Sequence, residues 1–175
     1  MKRQVPLQDK IIAVKDFPQK GVIFRDITPL LLDPIYFSEA INQMRKKVKV
    51  LDIDIIAGIE SRGFIFASAL AYKLKKGLLP IRKNNKLLPG ETVEETYALE
   101  YGEDGIKIQK NALQKGQNVL IVDDLIATGG SAQATVKLIE KTGAKVAGLL
   151  FLSELSFLQP REKLQNYKIF SLIQY

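Results

Sequence analysis

Two unbroken apolar runs stand out along the chain, Val119 to Val122 and Val146 to Leu152. Runs of this length and kind predict strands buried on both faces, as in parallel sheets. A helix is predicted between them, ending near Gly143. Ile53 to Ala57 and Leu78 to Ile81 are shorter predicted strands. The helix between these two carries Ala67, Leu70, Ala71 and Leu74 and is closed by Gly77. Phe37, Ile41, Met44 and Val48 mark the apolar stripe of another helix, capped by Asp33 and opened by Pro34. Leu7, Ile11 and Val14 sit at helical spacing and predict a short N-terminal helix, whereas Phe17 to Thr28, broken by Pro18 and Gly21, is expected to be irregular. Arg82 to Glu95 is polar and shows no period. Beyond it Tyr97, Leu99 and Tyr101 alternate, Gly102 to Gly105 turn, and Ile106 and Ile108 alternate again, which predicts a β-hairpin. Strand–helix–strand units in series predict an α/β fold: a central, mostly parallel sheet flanked by helices. Ligands of such sheets lie at the carboxyl ends of the strands, here just after Ala57, Ile81 and Val122.

Composition narrows the chemistry. The 175 residues suit a single domain (1–175), and 46% apolar residues suffice for a core. With no cysteine there is no thiol nucleophile, disulfide or thiolate metal site, and a reducing compartment, the cytoplasm, is expected. With no histidine there is no serine–histidine triad and no histidine base, so carboxylates, lysine, tyrosine or the substrate must move protons. MKRQVPLQDK has no apolar segment of a secretory signal, and the longest apolar run is too short to span a membrane. The net charge of +7 falls largely at helix ends (Arg45, Lys46, Lys47, Lys49; Lys73, Lys75, Lys76) and also suits an anionic ligand. The basic residues are scattered without interleaved aromatics, so no nucleic-acid partner and no membrane partner is expected.

The candidate chemistry follows Val122. The chain reads Asp123, Asp124, Leu125, Ile126, Ala127, Thr128, Gly129, Gly130, Ser131. The glycines permit left-handed backbone, Thr128 and Ser131 offer hydroxyls, and a helix begins there with unpaired amides. That combination is a cradle for a phosphate monoester. It is neither a Walker A loop nor a dinucleotide fingerprint. The adjacent carboxylates repel, and a ribose diol or a developing cation offsets their charge.

VLIVDDLIATGGS (119–131) resembles the phosphoribosyl pyrophosphate motif of the type I phosphoribosyltransferases. FPQKGVIFRDITPLL (17–31), IAGIESRGFIFASALA (56–71), YALEYGEDGIKIQKNAL (97–113) and SELSFLQPREKL (153–164) are similar to the adenine-using branch of that family. The resemblance runs in order along nearly the whole chain. It implies a type I phosphoribosyltransferase fold with a small N-terminal hood within residues 1–33 and a lid loop and β-hairpin over 83–109. It implies transfer of the 5-phosphoribosyl group from phosphoribosyl pyrophosphate to N9 of adenine, giving AMP and pyrophosphate, in purine salvage.

The resemblance also implies a role for each matching residue. Ala127, Thr128, Gly129, Gly130 and Ser131 hold the 5′-phosphate, and Asp123 and Asp124 the ribose hydroxyls. Glu60, Ser61, Arg62 and Gly63 form the pyrophosphate loop, with a non-proline cis peptide between Glu60 and Ser61. Arg82, Lys83, Lys86 and Tyr101 also meet pyrophosphate. Lys86 is matched across RKNNKLLPGETVEETY, one residue longer than the family pattern. Val22, Ile23, Phe24 and Arg25 hold adenine, with Leu155 on its other face, and Glu100 handles a proton at N7. Magnesium is expected, held by substrate oxygens and water with no direct protein ligand, and the family is homodimeric. Two alternatives remain: the same transfer to hypoxanthine, guanine or another base, and a non-catalytic sensor of phosphoribosyl pyrophosphate.

Overall fold

The strands that carry the fold are those with no polar side to show water. β3 (Ile55–Ile59), β7 (Asn118–Ile126) and β8 (Lys145–Glu154) are buried over most of their lengths. In the computed structural model, which describes residues 5–98 and 102–175, these strands are neighbours at the centre of a seven-stranded sheet. With β4 (Gly77–Lys83), β5 (Thr92–Ala98), β6 (Glu103–Gln109) and β9 (Ile169–Gln174), the order is β5-β6-β4-β3-β7-β8-β9. The stretch β4-β3-β7-β8-β9 is parallel throughout, and the β5–β6 hairpin joins β4 antiparallel. The central, mostly parallel sheet expected from the apolar runs is the observed one.

α3 (Gly63–Leu74) packs on β3, β4 and β7, and α4 (Gly130–Lys141) on β5, β6, β7 and β8. Gly58 lets α3 close on β3, because a Cβ there would stand 2.7 Å from the Cβ of Ala67. α3 ends on Lys75, whose φ of 56° supplies the left-handed cap assigned from sequence to Gly77; Gly77 instead opens β4.

The chain divides into two compact units, Met1–Gln43 and Met44–Tyr175, and the sheet belongs to the second. In the first, Leu7–Lys10 is a 3₁₀ turn and β1 (Ile12–Lys15) pairs antiparallel with β2 (Ile23–Asp26). This corrects two expectations, a helix through Val14 and an irregular stretch up to Thr28. The run Ile11–Val14 is mostly β-branched, and pairing with β2 outweighs the 3.6-residue spacing. A short helix α1 (Thr28–Leu32) follows. Asp33 then caps α2 (Pro34–Val48) as expected, its Oδ1 accepting the amides of Ile35 at 3.0 Å and Tyr36 at 3.3 Å.

Two boundaries moved in the second unit. β7 runs through both aspartates to Ile126, because Asp123, Leu125 and Ile126 stay paired with Phe151, Ser153 and Glu154. The hairpin begins at Thr92 and pairs Ala98 with Glu103, so its loop comes about three residues before the predicted Gly102–Gly105 turn. Val93, Glu95 and Tyr97 form its half-buried face, and the polar Glu95 masks the period.

Gly58→Ala should lower the urea midpoint, with little change in slope. Overpacking of this kind costs about 1–3 kcal/mol, partly offset by the stiffer unfolded chain. An unchanged midpoint would show that α3 is not pinned to β3 there.

Candidate active site

The carboxyl ends of β3, β4 and β7 converge on two consecutive acids. Asp124 is 4% exposed, and Asp123 before it is partly buried. The Asp124 amide donates to Asp123 Oδ1 at 2.8 Å, and Ser153 Oγ donates to the Asp124 carbonyl at 3.1 Å. Burial, reinforced by the charge of Asp124, pushes the Asp123 carboxyl well above the usual carboxylate range. Burial raises Asp124 as well, while Arg62 pulls it back: Arg62 Nη2 lies 3.0 Å from Asp124 Oδ2. The pair therefore favours holding a proton, and a ligand that donates hydrogen bonds to it relieves that cost.

Gly63 brings the β3–α3 loop to this pair. A Cβ at Gly63 would meet Asp123 Oδ1 at 2.8 Å and the Val122 carbonyl at 2.9 Å, so a side chain would push α3 off the end of β7. Within this loop the Glu60–Ser61 peptide is cis, as the resemblance implied. The Glu60 carboxylate faces β4, accepting from Arg82 Nη1 at 3.2 Å and from the Lys83 amide at 2.9 Å. Glu60 thus braces the end of β4, and Arg62 is the loop's charged donor toward the aspartates. Lys83 Nζ lies 3.1 Å from Asp104 Oδ2, which also accepts the Tyr97 hydroxyl at 3.0 Å. Burial and the Asp104 bond push the Tyr97 phenol far up, and the charge of Asp123 adds to it. Lys86 is exposed in the turn after β4.

The cradle closes the far side of the aspartates. β7 ends at Ile126, Gly129 adopts φ 78°, and α4 starts at Gly130. Its first-turn amides have no intrahelical partner, and among the described residues no side chain caps them. Helix dipole and amides together attract an anion. Leu155 borders the cradle through its amide, which donates to the Ile126 carbonyl at 3.0 Å.

The second unit thus brings together residues 60–63, Arg82, Lys83, the aspartates, Ala127–Ser131 and Leu155. Val22, Ile23, Phe24 and Arg25 lie on and beside β2 of the first unit, where Phe24 meets Phe17 edge-on with ring centroids 5.3 Å apart. Glu100 and Tyr101 fall outside the described residues. Sequence reasoning missed Asp104 and the Tyr97 contact with it. Placing the hairpin turn three residues late hid the cross-strand pair Tyr97↔Asp104. The resemblance places Glu154 only beside Leu155 at the adenine; this buried acid at the end of an apolar strand repeats the signal that marked Asp123 and Asp124.

Comparison with known proteins defines the class. Residues 37–170 match the family model described as the phosphoribosyl transferase domain. A curated adenine phosphoribosyltransferase of Thermotoga neapolitana is 52% identical over 169 residues, covering 97% of this chain and 99% of the relative. The crystal structure of adenine phosphoribosyltransferase from Thermoanaerobacter pseudethanolicus superposes with a TM-score of 0.94 at 46% identity, covering 97% of this chain and 98% of that one. The enzyme of the same name from Saccharomyces cerevisiae, solved with an imino-altritol bisphosphate and adenine, gives 0.89 at 42% identity, covering 95% and 96%. The chain belongs to the phosphoribosyltransferase family, in its adenine phosphoribosyltransferase branch.

The raised Asp123 carboxyl has a consequence for stability. Its folded pKa lies above its unfolded one, so the folded state binds the extra proton and stability falls as pH rises through the folded value. Without substrate, Asp123→Asn should therefore be more stable than the parent at pH 8, and the gap should close toward pH 4. Urea midpoints at the two pH values measure this; a variant less stable at pH 8 would count against the assignment.

Proposed function

We propose that the chain makes AMP in purine salvage, transferring the 5-phosphoribosyl group of phosphoribosyl pyrophosphate to N9 of adenine. The observation that carries this reading is the aspartate pair, Asp124 buried and Asp123 partly so, followed within a few residues by Gly129 and the start of α4. A diol reader beside a monophosphate cradle fits a 5-phosphoribosyl group.

In this reading Ala127 to Ser131 hold the 5′-phosphate through amides and hydroxyls. Asp123 and Asp124 accept from the ribose 2′- and 3′-hydroxyls. N9 attacks C1′ as the bond from C1′ to the pyrophosphate oxygen breaks, and the electron pair leaves with pyrophosphate. Positive charge that develops on the ribose is stabilised by the two carboxylates. Glu60, Ser61, Arg62 and Gly63, with Arg82, Lys83, Lys86 and Tyr101, surround the leaving group. The Arg62 fork suits phosphate oxygens, and Glu60 acts by keeping Arg82 in place. Val22, Ile23, Phe24, Arg25 and Leu155 hold adenine, and Glu100 takes the proton released at N7. Residues 1–175 act as one catalytic domain, with 1–33 contributing a hood and 83–109 a lid.

Among the described residues no group of three or more acidic side chains is placed to hold a metal ion. In this reading magnesium would be carried on pyrophosphate and ribose oxygens and water, where it would neutralise leaving-group charge. The reading includes a cytoplasmic homodimer whose partners are adenine and phosphoribosyl pyrophosphate, not nucleic acid or membrane. Among the described residues no helix is long and apolar enough to cross a membrane. Tyr72 is 87% exposed and Leu78 42% exposed, apolar surface that supports a contact between two copies, whereas Phe66 is core.

Incubation with phosphoribosyl pyrophosphate, magnesium and each base in turn should yield AMP from adenine and little nucleotide from hypoxanthine or guanine. Product from hypoxanthine alone would overturn the choice of base. Asp124→Asn should lower kcat/KM by about a hundredfold or more, since a charge aimed at the developing cation is lost. Near-normal activity in that variant would remove Asp124 from the mechanism.

A further inference from the structure

Glu154 is 2% exposed, yet neither the ribose, the phosphate nor the pyrophosphate reading uses it. Its carboxylate is fully engaged. Arg161 forks onto it, Nε to Oε1 and Nη2 to Oε2, each at 2.8 Å. Ser171 Oγ donates to Oε2 at 2.7 Å, and Gln174 Nε2 reaches the same oxygen at 3.4 Å. The Arg161 fork, foremost, holds the acid below its usual range.

The cluster lies one step from the cradle. Glu154 is the last residue of β8, in register with Ile126, the last residue of β7. Arg161 belongs to the 3₁₀ turn Pro160–Leu164. This turn touches the cradle at two points. The Pro160 carbonyl oxygen would stand 2.9 Å from a Cβ on Gly129, so it backs directly onto the left-handed residue that starts α4. The Lys163 carbonyl accepts Gln133 Nε2 from the first turn of α4 at 3.3 Å.

We propose that Arg161 and Glu154 are positioning residues for the phosphate cradle: their forked pair fixes the Pro160–Leu164 turn, which sets where Gly129 and the α4 amides sit. This rests on the reading of Ala127–Ser131 as the 5′-phosphate site. A planar fork on a carboxylate with no freedom to rotate defines an orientation, which a single-point charge pair does not. Amides that cradle an anion need placement within about 0.5 Å, so small shifts of the turn register as lost affinity. The Arg161 side chain is 47% exposed, so its pair contributes modestly to global stability.

The test uses calorimetry with two probes, ribose 5-phosphate and magnesium pyrophosphate, on the parent, Arg161→Gln, Arg161→Lys and Ser131→Ala. Arg161→Gln should weaken ribose 5-phosphate about tenfold and leave pyrophosphate unchanged. Arg161→Lys keeps the charge but loses the fork; it should fall between parent and glutamine variant, and it carries the test if the glutamine variant unfolds. If Ser131→Ala weakens ribose 5-phosphate while both Arg161 variants bind it like the parent, the positioning role is wrong. Equal weakening of both probes in the Arg161 variants would also refute it, as that marks a general loss of structure. If Ser131→Ala leaves ribose 5-phosphate untouched, the cradle reading itself fails, which is a separate result.

Discussion

Everything at this site follows from burying two consecutive carboxylates at the end of a central strand. The two side chains lie close enough for the charge of Asp124 to raise Asp123, and Arg62 acts on both. Asp124 faces Arg62; Asp123 takes the amide of Asp124 and lies against Gly63. The β3–α3 loop must therefore approach closely, which Gly63 allows. β7 must also stay paired past the aspartates before it can release the chain into the cradle. The cost of burying these charges is the reserve that a ligand with donor hydroxyls releases.

The surrounding cations are organised by the same need. Arg62 faces Asp124, Arg82 faces Glu60 and Lys83 faces Asp104. The site is thus paired acid to base, although the chain carries a net charge of +7. On the proposed reading, an incoming pyrophosphate would compete with carboxylates for cations that are already oriented, and so would meet fixed donors. Glu154, a further acid at a strand end, braces the rear of the cradle from the neighbouring strand β8.

The parallel sheet and the cradle were legible because their signals are local. Apolar runs define β7 and β8, and the two glycines follow two aspartates within a few residues. The Asp33–Pro34 start of α2 was legible for the same reason. What was hidden depends on partners distant in sequence. Glu95 sits on the half-buried face of β5 because Lys141 of α4 meets its carboxylate, and that polar residue concealed the strand. Pairing with β2 turned the helical spacing of Leu7, Ile11 and Val14 into a turn and a strand. The acid partner of Lys83 could be found only after strand register was known. The choice of adenine came from resemblance at Val22–Arg25, since nothing in the period or composition of that segment specifies a base.

Proton release on ribose 5-phosphate binding tests the central claim most directly. Calorimetry near neutral pH in two buffers of different ionisation enthalpy counts the protons released. Ribose hydroxyls donate to carboxylates and favour their ionised form, so the parent should release more protons than Asp123→Asn; the phosphate's own protons are common to both. Equal release from the two proteins would contradict the account, because the buried aspartates would then not be the groups that read the sugar.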